Sequence, residues 1–150
     1  MIFKKKTDDK NSLFGLTQAY ITLNVKLGAK FTGGAALCVK ESTGIFNSIV
    51  DEVRGFLDVS DDIAYRVERD RYGYIWFILN SDMLEGVVAA LDAIADTFIE
   101  YGFKEQILAS VFAFNAERKF YLIYNHRSNK FYPFVPSLNG RDVEFELFML

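Results

Sequence analysis

The sequence predicts an α+β fold, a largely antiparallel sheet with two main helices packed on it. Three observations carry this. Residues 45–57 and 83–98 repeat apolar side chains at helical spacing. Several short runs alternate apolar and polar residues, as half-buried strands do. Hairpin turns, rather than regular helical crossovers, join those runs. At 150 residues the chain suits one domain with a core of its own. We assign residues 1–12 to a flexible basic N-terminus and residues 13–150 to that domain.

In chain order, residues 12–18 suggest a short helix. From Tyr20 the pattern alternates, with Ile21, Leu23, Val25 and Leu27 on one side and Thr22, Asn24 and Lys26 on the other, which predicts a strand. The glycine-rich GAKFTGG reads as a turn and AALCVK as the returning strand. Ile45, Phe46, Ile49, Val50, Val53 and Leu57 then form a helical stripe, with Ser42 or Thr43 as its N-cap. Residues 63–79 read as a hairpin. Its second arm, YIWFIL, is apolar at every position, which predicts cover on both faces.

The strongest helix follows. Asp82 and Glu85 have capping-box spacing. Met83, Leu84, Val87, Val88, Leu91, Ile94, Ala95 and Phe98 line one side, and Gly102 stands where a helix-ending glycine belongs. The series strand, strand, helix thus occurs twice, at 20–57 and 63–101. QILASVFAF, KFYLIYN, NKFYPFVP and VEFELFML complete the prediction as consecutive antiparallel strands. The last of them alternates Val143, Phe145, Leu147 and Met149 with Glu144 and Glu146, as an edge strand does.

Composition narrows the chemistry. A net charge of −3 argues against an overall basic surface for nucleic acid. Cys38, the single cysteine, forms no internal disulfide, suits a reducing compartment, and reads as a buried, inert thiol. One His and one Cys do not make a usual zinc shell, and the adjacent acids Asp8–Asp9 and Asp61–Asp62 read as solvated turns, so neither metal nor cofactor is expected. No nucleophile elbow or phosphate loop stands in the chain. Apolar stretches are interrupted by charge before they reach a membrane-spanning length. Lys4, Lys5 and Lys6 read as a solvated terminus, with a weak tether to anionic lipid as the functional alternative.

Charge layout is more telling. Residues 72–103 hold no Lys or Arg, and Asp92, Asp96 and Glu100 stand at i, i+4 and i+8 on the helix face opposite its apolar stripe. Residues 104–141 are basic, with Arg118, Lys119, Arg127 and Lys130 at predicted hairpin turns beside the only histidine, His126. The expectation is an electrically polar molecule. Asp92, Asp96 and Glu100 are the candidate contacts for a basic partner. Arg118, Lys119, His126, Arg127 and Lys130 are candidate contacts on the basic side, forming a small anion site if the two turns are adjacent.

Four stretches, LFGLTQAYITLNVKLG, RYGYIWFIL, GFKEQILASVFAF and FYLIYNHRSNKFYPFVP, are similar to those of the PspA-associated family PspAB. The resemblance runs from about residue 13 to residue 136. It implies a cytoplasmic accessory role near a membrane-stress complex of the phage-shock type, acting by protein contacts without catalysis, at most peripheral to the membrane. A PspA-like protein or another stress component is then the expected partner, no specific nucleic acid is, and a homodimer is a further candidate. Two alternatives stand beside it: a ligand-binding enzyme or hydrolase with a cleft near residues 120–136, and a chaperone-like module that offers a groove or sheet edge.

Overall fold

The computed structural model describes residues 15–137 and 140–141. Its elements are α1 (Gly15–Leu27), β1 (Lys30–Lys40), α2 (Phe46–Asp58), β2 (Ala64–Arg69), β3 (Tyr74–Asn80), α3 (Leu84–Glu100), β4 (Ile107–Asn115), β5 (Lys119–Asn125) and β6 (Lys130–Phe134). A short pair, β7 (Pro136–Ser137) with β8 (Gly140–Arg141), follows. The six main strands form one antiparallel sheet in the order β2-β3-β1-β4-β5-β6. This is the expected α+β class with an antiparallel sheet.

Strand parity divides the sheet into two faces. Inward point Leu37 and Val39, Ile75 and Phe77, Phe112 and Phe114, and Phe120 and Leu122, all in one core with the buried residues of the three helices. Six phenylalanines are less than 2% exposed: Phe46, Phe77, Phe98, Phe112, Phe114 and Phe120. Each fully buried ring contributes roughly 1.5–3 kcal/mol. Phe46 and Phe98 meet at 5.1 Å between ring centres and Phe77 joins them at 5.8 Å from Phe98, which ties α2 and α3 to β3.

The largest departure from the sequence reading lies at the start. Residues 15–27 form one helix, not a short helix followed by a strand, so among the described residues three helices cover the sheet instead of two. Leu16, Tyr20, Leu23 and Leu27 lie at i, i+4, i+7 and i+11 and turn inward, while Ile21 and Val25 stay exposed. Gly28, at φ 68°, ends this helix with its N–H on the Asn24 carbonyl at 2.9 Å. The Tyr20 hydroxyl accepts the Phe31 N–H at 2.9 Å and locks the helix to β1.

GAKFTGG is consequently not a turn between two strands but leads into and begins the long strand β1. Gly33, at φ 101°, sits where the β1–β4 register shifts. Its φ strains any residue with a side chain, and a Cβ there would also stand a tight 3.2 Å from the Ser81 carbonyl oxygen, so the position favours glycine. With one strand before α2, the repeated unit is β1-α2-β2 and β3-α3-β4 rather than strand, strand, helix. The first of these is a crossover that leaves room for β3 between its two strands, the split βαβ arrangement.

Helix ends differ in detail as well. The N-caps are Ile45 and Met83, without side-chain caps, so neither Ser42 nor Thr43 caps α2 and the Asp82–Glu85 box does not form. Ser81 instead accepts the Met83 N–H at 3.3 Å. Gly102, at φ 89°, ends α3 as expected: its N–H reaches the Ile99 carbonyl and Phe103 N–H reaches that of Phe98, at 3.0 and 2.9 Å. On β3, Ile75, Phe77 and Leu79 are buried, but Tyr74, Trp76 and Ile78 are half-buried, so its second face lacks the full cover expected. The N-terminal Lys4–Lys6 run and the strand expected at 143–150 lie outside the described residues.

Candidate functional site

The outer side of α3 carries Glu85, Asp92, Asp96 and Glu100, and no cation occurs along the helix. Glu85 and Glu100 are exposed, while Asp92 and Asp96 are half-buried at the margin of the stripe. The i, i+4, i+8 spacing sets the three acids along one side of the helix, but only Glu100 is fully exposed there. Tyr101 follows and donates its hydroxyl to Glu52 Oε1 at 2.7 Å, binding the end of α3 to α2 and holding the tyrosine's own pKa up.

The basic candidates are exposed but do not gather. Arg118 and Lys119 lie at the turn where β5 begins, and Arg127 and Lys130 at the turn where it ends. Six residues of strand separate the two turns by roughly 20 Å. The turns are therefore not adjacent, and one anion cannot span all four side chains. Arg127 instead donates to the Glu105 carbonyl at 3.3 Å.

His126 is placed by local turn chemistry. Asn125 Oδ1 accepts the N–H groups of Arg127 and Ser128 at 2.8 and 3.2 Å, and Asn129 takes φ 59° to close the turn. The His126 N–H bonds the Leu108 carbonyl at 3.1 Å, so the ring continues the inward parity of Leu122 and Tyr124. Its Nε2 lies 2.8 Å from Ser110 Oγ, and its ring meets Tyr124 edge-on at 4.8 Å. Tyr124 in turn donates its hydroxyl to Asn129 at 2.9 Å. Burial pushes the imidazole down from its ordinary value to about 4. The ring is thus neutral at pH 7 and satisfies a serine hydroxyl that has no exposure at all.

This pair was not anticipated from sequence. Its signal was Ser110 itself, a polar residue at the same inward parity as Phe112 and Phe114. Chemically the arrangement is closed: with Ser110 fully buried, no substrate reaches the hydroxyl. A cavity of about 370 Å³ lies elsewhere, at the β6 edge of the sheet under α1. Leu16, Ala19 and Leu23 line it from the helix, and Leu122, Phe131 and Pro133 from the strands. Thr22 and Tyr132 complete a lining that is mostly apolar and excludes His126.

The outward face of the sheet is the broader surface. Trp76 and Ile78 of β3, Val111 of β4, Tyr121 and Ile123 of β5 and Tyr132 of β6 share it by parity. None of these outward side chains belongs to the buried core, and all three helices pack on the opposite face. Cys38 also lies here, only 5% exposed between Trp76 and Ala109. Burial, with the Asp70 charge adding, pushes its thiol up to about 11, so it is protonated and unreactive at neutral pH. Asp70 accepts the Trp76 indole N–H at 3.0 Å and the N–H groups of Tyr72 and Tyr74, which hold its carboxyl below the usual range.

No helix among the described residues is long and apolar enough to cross a membrane. Among them, too, no three His, Cys, Asp or Glu residues gather as metal ligands do. Comparison with curated proteins and with solved structures returns no match. A family model described as PspA associated protein B, PspAB, matches residues 2–149.

Proposed function

The chain belongs to the PspAB family, PspA associated protein B, and on that basis we propose that it is a non-enzymatic accessory of a membrane-stress response, working through contact with a PspA-type protein in the cytoplasm or at the membrane surface. The family supplies the link to PspA. One observation supports contact as the mode of action: the outer side of α3 presents Glu85, Asp92, Asp96 and Glu100 with no cation among them. Such a face attracts a partner of opposite charge and raises the rate of encounter at low salt. The basic turns at Arg118–Lys119 and Arg127–Lys130 stand as two separate secondary contacts, because about 20 Å of strand lies between them. His126 is half-buried, with its ring turned inward onto Ser110 and Tyr124.

A hydrolytic cleft near residues 120–136 has less support. The histidine there bonds a buried serine, and the neighbouring cavity is mostly apolar, with only Thr22 and Tyr132 bringing polar side chains to its lining.

The test is titration of the full chain with the PspA-type protein of the same organism, at low and high salt. Binding should weaken with salt, and Asp92→Asn with Asp96→Asn together should lower affinity by about tenfold while flattening the salt dependence. Unchanged affinity and salt slope in the double variant would refute the acidic face as the contact. No binding by the native chain at any salt would refute the function.

A further inference from the structure

The two sides of the sheet carry opposite charge. By strand register the outward face presents Lys30, Lys40, Arg66, Lys119 and Lys130, against Glu68 and, at the turn after β2, Asp70. Arg66 pairs with Glu68 at 3.3 Å, and Asp70 is occupied by three N–H groups with Lys40 nearby. Lys30, Lys119 and Lys130 each stand opposite an asparagine, Asn115 or Asn125, and no acid offsets them across the strands. On the other side of the sheet, α2 and α3 hold three and four acids against Arg54. The overall charge of −3 thus conceals one acidic layer and one basic face.

Aromatic rings stand among these cations. Tyr74 and Trp76 point outward from β3, and Tyr72, 63% exposed, precedes them at the turn. Residues two apart on a strand lie about 6.7 Å apart, roughly twice the 3.4 Å between stacked bases of one strand in a duplex. Such rings suit bases spread apart, one to a ring. They are also held in place. The Arg71 guanidinium lies 5.0 Å over the Tyr72 ring, Lys40 Nζ lies 4.9 Å over that of Tyr74, and Asp70 fixes the Trp76 indole at 3.0 Å. Across the sheet on β6, Tyr132 adds a ring that is 42% exposed, two residues from Lys130.

Charge and exposure select the occupant. A second copy would set two basic faces against each other. A lipid surface takes up protruding apolar side chains to a depth of about 5–10 Å. Among the described residues, the strongly exposed aliphatic side chains, Ile21, Val25, Ile45, Val59, Met83 and Ile99, all lie on helices or at their ends. On the sheet side the strongly exposed large side chains are Tyr72 and Tyr132, whose rings can stack. Rings interleaved with cations on an open antiparallel sheet are what unpaired bases and their phosphates require. We infer that the chain binds single-stranded nucleic acid on this face without sequence preference, with bases on Tyr72, Tyr74 and Tyr132 and phosphates on the surrounding lysines. This inference is independent of the PspA-type contact on α3, which lies on the opposite side of the sheet.

The experiment is fluorescence anisotropy of a labelled, mixed-sequence oligonucleotide of about 12 nucleotides, titrated with the full chain. Dissociation in the micromolar range at low salt is expected, with saturable quenching of Trp76, the only tryptophan. For three lysine–phosphate contacts, a tenfold rise in salt should weaken binding by about a hundredfold. Tyr72→Ala and Tyr132→Ala should each weaken it by at least about fivefold. Both side chains are exposed, and circular dichroism checks that the variants fold. Lys119→Gln with Lys130→Gln should remove about two-thirds of the salt slope. Lys26→Gln, which removes a cation from α1 on the helix side, should leave affinity and slope unchanged.

A native chain that binds no oligonucleotide at low salt overturns the proposal. So does binding that survives both tyrosine substitutions, or duplex of the same sequence bound as tightly as the single strand. Capture by phosphatidylserine vesicles, lost in the double lysine variant and without oligonucleotide binding, assigns the face to a membrane surface and refutes nucleic acid. A concentration-dependent dimer that shields Trp76 and excludes the oligonucleotide assigns it to a second copy, and refutes it as well.

Discussion

Lowering the pH from 7 to 4 should destabilise this protein in good part through His126. His126 has a native pKa of about 4 against an unfolded value of 6.5. Above pH 6.5 the imidazole is neutral in both states and costs nothing. As pH falls below 6.5 the unfolded chain takes up the proton and the native chain does not, so stability falls until the pH passes the native value near 4. The full loss is about 3 kcal/mol, and about 2 kcal/mol of it is already present at pH 5.

That magnitude rests on geometry. The ring is folded inward, bonded to a fully buried serine and packed on Tyr124. Urea unfolding of the native chain and of His126→Gln at pH 7.5 and pH 5 separates this contribution from that of the carboxylates, which both proteins share. The native chain should lose about 2 kcal/mol more than the variant between the two pH values. Because the chain holds one histidine, its imidazole proton resonance reads the pKa directly. An imidazole titrating at 6–7, or equal pH dependence in both proteins, would refute the reasoning.

Two further outcomes follow from local geometry. Cys38, 5% exposed and with its thiol held up to about 11, should resist an aromatic disulfide reagent at pH 8 in native buffer and react promptly in denaturant; rapid stoichiometric reaction of the folded protein would contradict its placement. Gly102→Ala meets no atom within 4 Å, so only the backbone cost of φ 89° remains, and urea unfolding should report a loss of about 1 kcal/mol.

Where one periodicity stood alone, sequence was enough. The stripe from Leu84 to Phe98 buries as its spacing indicates, and the glycine that ends α3 does what its position suggests. The strands from Ile107 to Phe134 pair in the consecutive antiparallel order read from their alternation. The acidic spacing on α3 was legible for the same reason, since a regular helix converts i, i+4, i+8 into one face.

Residues 15–27 satisfied two periods at once. Ile21, Leu23, Val25 and Leu27 alternate, but Leu16, Tyr20, Leu23 and Leu27 also make a helical stripe. Packing on the sheet, and the Tyr20 hydroxyl on Phe31, chose the second and left Ile21 and Val25 in water. The Ser110–His126 pair was hidden because its partners stand 16 residues apart and meet only through the β4–β5 register.

By itself, the sequence determined the α+β class, the helix from Leu84, the antiparallel run of strands and the acidic character of that helix. These depend on spacing within single elements. Tertiary structure decided the first helix, the burial of His126 and which face of the sheet the helices leave open. Each of these depends on which neighbour an apolar side chain meets, and YIWFIL is the same string whether its second face is covered or bare.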